Sequence, residues 1–184
     1  MTADNPITVG IFDGFSWIRC EGKGSFMNSP VIKTFGDQRI GGGERLLVVD
    51  LGACTGMDST FMGTLAGLAT RLTALDGGGA LHIAEPGERN RRSLEDLGLD
   101  FLMEIDPPTA VWRGRVDEIR THLGPPQTGV GVLGQVQRAR HVLEAHQTLS
   151  DVNEKNAREF GGVVTMLEDD LAEKEQASRD KGAS

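Results

Sequence analysis

Cysteine is nearly absent from this chain and no long apolar run occurs in it. Each absence narrows what the protein can be. Cys20 and Cys54 are the two cysteines in 184 residues, and both read as reduced, small buried hydrophobes. No window approaches the roughly 18 uninterrupted apolar residues of a membrane span, so no membrane insertion is expected. Met1 to Pro6 carry no positively charged side chain and no apolar core follows them, so no secretory signal is expected. A cytoplasmic location is the default.

Excess basic charge is lacking too. A net charge of −8 argues against a nucleic-acid surface. Arg89, Arg91 and Arg92 sit among Glu88, Glu95 and Asp96 and read as a solvated helix face. Metal and nucleophile constellations are also missing. His141 and His146 stand five apart and do not share a helix face, so no metal pair forms. His82 lies alone in a strand and reads as structural, and Asp169-Asp170 belong to a solvated tail. Asp76-Gly77-Gly78-Gly79 precedes a strand and lacks a following Gly-Lys-Ser/Thr, so it is a turn rather than a phosphate loop. No cofactor and no enzymatic activity are expected.

What is present is an ordinary soluble composition, 38% hydrophobic and 25% charged, enough for one domain plus an extension. The chain is organised around Leu46 to Leu75. Leu46-Leu47-Val48-Val49 is too short for a helix and reads as a strand buried on both faces. A small-residue loop from Gly52 to Met57 follows. Phe61, Leu65, Leu68, Leu72 and Leu75 then recur at helical spacing. Gly63 and Gly67 would let a neighbouring backbone approach, at about 1 kcal/mol each in helix propensity. Asp58 or Ser59 is the N-cap.

Before this stretch, Ile7 to Phe12 and Phe15 to Cys20 predict a hairpin across Asp13-Gly14. The faces of its second strand are not cleanly separated. Gly22 to Ser25 predicts a flexible loop, and a helix begins at Ser25 or Asn28 with Pro30 in its first turn. After the central helix come a strand at Ala80 to Ala84 and a helix near Glu88 to Leu97 stopped by Gly98. A last strand from Leu99 to Ile105 is closed by Pro107-Pro108. This order predicts an α/β layer with a mixed sheet.

The strand-Asp-Leu pattern, the small loop and Met57-Asp58-Ser59-Thr60-Phe61-Met62-Gly63 resemble the core motif of STAS domains, the sulfate-transporter and anti-sigma-factor-antagonist family. The likeness extends through Leu81 to Ile105 and covers roughly Ile7 to Ile105. Phe61 departs from it, standing where a glycine is usual. The fold so implied is a STAS-like mixed sheet with helices packed on it.

The resemblance implies a bacterial signalling switch acting on transcription. A serine kinase/anti-sigma factor of the histidine-kinase-like ATPase fold would bind when Ser59 is unphosphorylated, and a metal-dependent serine phosphatase would reset it. Asp58, Ser59, Thr60 and Met62 would face the partner. Ser25, Asn28 and Ser29 join them from the flanking loop, with Phe26 and Met27 as apolar anchors. Two alternatives stay open: a STAS subunit of a lipid-exporting ABC transporter, and a self-assembling scaffold in which Ser59 is only a cap. Cys54 stands where a cysteine phosphatase would hold its nucleophile, but that family needs an arginine six positions on, and position 60 is Thr.

The divisions are 1–108 for the STAS-like domain, 109–126 for a short connecting helix and 127–184 for a helical extension with a frayed end. In the extension Val132, Val136, Ala139, Leu143, His146, Leu149, Val152, Asn156, Phe160, Val163, Leu167 and Leu171 recur at a mean step of about 3.5. Gly161-Gly162 predicts a kink or break in it. His146 and Asn156 read as register-setting polar positions. Self-association into a homodimer through this stripe is the favoured expectation.

Overall fold

The computed structural model describes residues 6–127 and 133–183. Strands β1 (Ile7–Phe12) and β2 (Phe15–Cys20) form the expected hairpin, with Phe12 opposite Phe15. Gly14 takes φ 87°, which a β-carbon would resist. There follow β3 (Gly22–Gly24), α1 (Ser29–Gly41), β4 (Leu46–Asp50), β5 (Cys54–Met57), α2 (Ser59–Thr73), β6 (Ala80–Ala84) and α3 (Gly87–Asp96). A 3-10 turn (Leu99–Phe101), β7 (Glu104–Ile105), α4 (Val116–Arg120), α5 (Gln135–Val152) and α6 (Glu154–Gly182) complete the chain. The main sheet runs β1-β2-β4-β6-β7, antiparallel at its first pair and parallel thereafter. The architecture is the α/β layer with a mixed sheet and a helical extension that the sequence predicts.

Alternation along the central strands explains the layers. Ile18, Cys20, Leu47, Val49, Leu81 and Ile83 face the buried sides of α1 and α2, where Ile32, Phe35, Phe61, Leu65 and Leu72 complete one core. Phe15, Trp17, Val48 and Ala84 point to the other face, where Trp112 and Ile119 close a second core. Both faces of β2 are buried. That is why its sequence shows no clean apolar–polar alternation.

Several expectations change. Gly22 to Ser25 is not simply a loop: β3 pairs in parallel with β5, and β5 occupies most of the predicted Gly52 to Met57 loop. The predicted Leu99 to Ile105 strand shrinks to Glu104–Ile105, because Gly98 at φ 72° leads into the 3-10 turn first. Pro107-Pro108 does not finish the packed unit. The next segment lies across the sheet, and Val9 and Gly124 exchange backbone hydrogen bonds of 2.8 and 2.9 Å. In the extension, α6 runs unbroken through Gly161-Gly162 to Gly182, and the break falls at the extended residue Asn153. The linker reading of Gln127 to Gly131, and Val132 with it, lies largely outside the described residues.

The second core is fastened by a buried carboxylate. Asp50, at the end of β4, is fully buried. It accepts two 2.9 Å hydrogen bonds from Arg120, one from Arg19 at 2.9 Å, one from the Trp17 indole at 3.2 Å and one from the Gly52 amide at 2.9 Å. Burial alone would raise its pKa; the bonds from Arg120, Gly52 and Arg19 outweigh burial and hold it below the usual carboxylate range. Arg120 also reaches Glu85, tying α4 to the β6–α3 turn. Alongside, Trp112 donates to His82 Nδ1 at 3.0 Å, so His82 Nε2 carries the proton it shares with Glu104 at 2.8 Å. His82 is structural here, as its isolation in the sequence indicates.

Removing Arg120 leaves this buried charge short of its main partner. Arg120→Ala is expected to cost about 3 kcal/mol in urea unfolding. Asp50's contribution is present above the unfolded carboxylate pKa of about 3.9 and is lost as pH falls through its lower folded value. A change below about 0.5 kcal/mol on Arg120→Ala would show that the network is not structural.

Candidate functional site

The geometry at the motif starts from Asp58. Its Oδ1 accepts from the Phe61 amide at 2.8 Å, capping α2, and its Oδ2 accepts from the Phe26 amide at 2.8 Å. One carboxylate thus serves the helix and the preceding loop together. The loop is tied internally as well: Ser25 N donates to Asn28 Oδ1 and Asn28 Nδ2 to the Lys23 carbonyl, both at 2.9 Å. Ser59 follows as the first residue of α2, half-buried. Phe61 points inward and is fully buried. A β-carbon on Gly24 would come within 2.8 Å of its ring, so the bulky departure from the family motif is accommodated under β3.

A side chain from far along the chain meets Ser59. His146 on α5 places Nε2 2.8 Å from Ser59 Oγ, while its Nδ1 lies 2.8 Å from the Val142 carbonyl. A carbonyl only accepts, so Nδ1 carries a hydrogen. In the neutral ring Nε2 therefore accepts the Ser59 hydroxyl. Phe160 of α6 packs edge-on against this imidazole at 5.8 Å. One turn away, His141 Nε2 lies 2.8 Å from Ser29 Oγ and 3.4 Å from Thr64 Oγ1. Between the two histidines, α5 crosses α2 so closely that a β-carbon on Gly63 would stand 2.3 Å from the Ala145 carbonyl oxygen. Gly67 has open space instead. Leu149 continues the contact and is wholly buried in the first core.

The turn of the helical hairpin is anchored separately. Asn153 Oδ1 accepts from the Asn156 amide at 2.8 Å, which caps α6. Asn156 Nδ2 donates to the Leu97 carbonyl at 2.9 Å, at the C-terminal end of α3. His146 and Asn156, read from sequence as register-setting positions, are therefore bonded to the domain. His141 and His146 both reach it despite their spacing of five. The apolar stripe predicted to join two copies lies, along α5, against α2 of the same chain.

The structure brings Asp58, Ser59, Ser25 and Asn28 together around the start of α2, with Phe26 and Met27 exposed beside them. Of the predicted partner-facing residues, Asn28, Ser29, Thr60 and Met62 are buried. Cys54, read as an inert hydrophobe, is half-buried; a hydrogen bond from the Cys20 thiol is the main cause lowering its pKa to about 6, against burial that pushes it up. The same pairing raises Cys20.

The STAS domain family model matches residues 6–110, more than half of the chain. The chain belongs to the STAS domain family. No curated protein matches it. The STAS fold is shared with the solved protein TM1081, at 18% identity and a TM-score of 0.50 over 61% of this chain and 86% of that one. An anti-sigma factor antagonist from Mycobacterium paratuberculosis aligns at 22% identity and a TM-score of 0.49, covering 66% of this chain and 97% of its own. The anti-sigma factor antagonist SpoIIAA in its unphosphorylated form aligns at 16% identity and 0.48, covering 62% and 97%. The helical hairpin lies beyond the matched STAS residues. No helix among the described residues is long and apolar enough to cross a membrane.

Burial pushes the His141 pKa down to about 4, with the Lys33 charge acting in the same direction and Asp58 opposing. A free histidine protonates near 6.5, so between these values the detached or unfolded state binds more protons. Hairpin docking is expected at full strength above about pH 6.5 and to weaken by up to ~3 kcal/mol as pH falls toward 4. Hydrogen exchange of α5 amides, corrected for intrinsic rates, reads this out. Protection that stays constant across the window, or falls equally in His141→Gln, would refute it.

Proposed function

We propose that this STAS domain is a phosphorylation-switched protein-binding module of the anti-sigma-factor-antagonist kind, with Ser59 as the phosphoacceptor. The observation that carries the reading is the placement of Ser59 at the first position of a 15-residue helix, directly after the residue that caps it. A phosphoryl group there adds about −1.5 to −2 charges and three acceptors at the positive end of a helix dipole. The domain tolerates that charge without unfolding, and a partner surface fitted to a neutral hydroxyl does not. Loss of about 3 kcal/mol weakens binding more than a hundredfold.

The partner in this reading is a serine kinase/anti-sigma factor of the histidine-kinase-like ATPase fold, and a serine phosphatase reverses the modification. The solved relatives named as anti-sigma factor antagonists are in keeping with it. Phe26 and Met27, 44% and 69% exposed at the rim of the motif, supply apolar anchors, and Ser25 and Asn28 hold their loop in place. Asp58 positions the serine and is not itself a base. Ser29, Thr60 and Met62 shape the surface from beneath.

Phosphopeptide mapping after incubation with the cognate kinase should place phosphate on Ser59 and not on Thr60 or Ser178. Ser59→Ala should retain the fold, at a cost of about 1 kcal/mol for the lost His146 hydrogen bond, and retain partner binding. Ser59→Asp should retain the fold and lose binding. Equal affinity of both variants for the native partner would remove charge at this site as the switch.

A further inference from the structure

The surface that the proposed switch must offer to a kinase is already occupied. α5 lies over the start of α2 and reaches the start of α1. It engages the Ser59 hydroxyl through His146 and the Ser29 hydroxyl through His141. With Oγ and Nε2 only 2.8 Å apart, no phosphoryl group fits between them. An incoming γ-phosphate cannot approach Oγ from that side while α5 is docked. We propose that the α5–α6 hairpin is an intramolecular competitor for the motif face, which a partner must displace before it can bind or phosphorylate Ser59. This rests on the reading of Ser59 as the phosphoacceptor.

Three features make the hairpin a removable cover. The sheet's two cores are closed largely without it: α1 to α3 cover one face, and Trp112 with Ile119 covers the other. Its attachment combines exchangeable hydrogen bonds at His141, His146, Asn153 and Asn156 with apolar burial of Leu143, Ala145 and Leu149, so a partner offering both kinds of contact can replace it. Along α6 only Asn156 is buried, so most of that helix rides on α5 rather than on the domain. In the open state the kinase transfers the γ-phosphoryl of ATP to Ser59 Oγ. The new O–P bond forms as the bond to ADP breaks, and the hydroxyl proton passes to the kinase's own base. The exposed Phe26 and Met27 lie at the edge of the cover, where a partner can gain a foothold before displacing it.

Gly63 offers a wedge specific to this contact. Alanine favours the helix that Gly63 belongs to, yet its β-carbon would meet the Ala145 backbone at 2.3 Å. Gly63→Ala therefore strengthens α2 and pushes α5 away. Gly67→Ala makes the same helical gain into open space and is the control. The probe is N-ethylmaleimide, applied to full-length protein carrying Ser59→Cys. Labelling is read after cleavage on the N-terminal side of aspartate, which separates Cys54 from position 59 at Asp58, because Cys54 reacts as well.

Adding Gly63→Ala should raise the labelling rate at position 59 by about tenfold, as an opening equilibrium shifted by ~1.4 kcal/mol gives. Gly67→Ala should leave the rate unchanged. Asn156→Ala removes the shorter of the two hydrogen bonds that hold the hairpin turn to the Leu97 carbonyl, without touching α2, and should move labelling at position 59 the same way even if the wedge variant folds poorly. Equal rates at position 59 with and without both hairpin variants would overturn the proposal. The labelling needs no kinase, so the two readings fail separately. A protected but never phosphorylated Ser59 would overturn the switch and leave the cover standing, and a phosphorylated Ser59 with equal labelling rates would do the reverse.

Discussion

The carboxylate of Asp58 is the constraint on which the motif depends. A helix start leaves its first amides without partners, and a loop needs some fixed point if its side chains are to form a surface. Asp58 answers both with two oxygens, one for the Phe61 amide and one for the Phe26 amide. The position of Ser59, the orientation of the Ser25–Asn28 loop and the exposure of Phe26 and Met27 all follow from that pair of hydrogen bonds. Beneath it, the inward Phe61 fills the space that Gly24 leaves. The bulky residue that departs from the family motif is therefore part of the floor and not of the face.

Much of the fold was legible because local patterns and tertiary packing agree there. Leu46 to Val49 is apolar on both sides because helices cover one face and the 109–126 segment the other. The period of Phe61, Leu65, Leu68 and Leu72 coincides with their burial. Asp13-Gly14 makes a hairpin turn for steric reasons that no distant contact overrides. The failures have two causes. β3 and β5 are three and four residues of mostly small side chains, paired by backbone bonds that leave no side-chain signature. The break at Asn153 instead of Gly161-Gly162 reflects an asparagine that caps α6 while its neighbour Asn156 holds the Leu97 carbonyl. Two glycines in a helix supported along one side cost propensity without ending it.

The site was legible only in its local half. Asp58 as cap and Ser59 beside it are read from adjacent residues. The pairing of Ser59 with His146 spans 87 positions, and nothing in the spacing of a heptad-like stripe tells which polar member will face a hydroxyl on another element. A hint was present: the stripe carries a histidine and an asparagine where an association seam between copies would favour apolar residues. Polar residues at such positions need partners when buried. Here the partners are Ser59 and the buried Leu97 carbonyl just past the end of α3.

Joining α5 to α6 through a single extended residue has a mechanical consequence. With 29 residues, α6 is about 43 Å long at 1.5 Å per residue. A ten-degree tilt about Asn153 sweeps its far end through roughly 7 Å for a helix of that length. Near the pivot, displacements stay within the range of one side chain. The hairpin is thus a lever with its short arm at His146 and its long arm at Gly182. A small loosening at the serine is magnified at the opposite end, where Arg140 and Glu175 pair across the two helices.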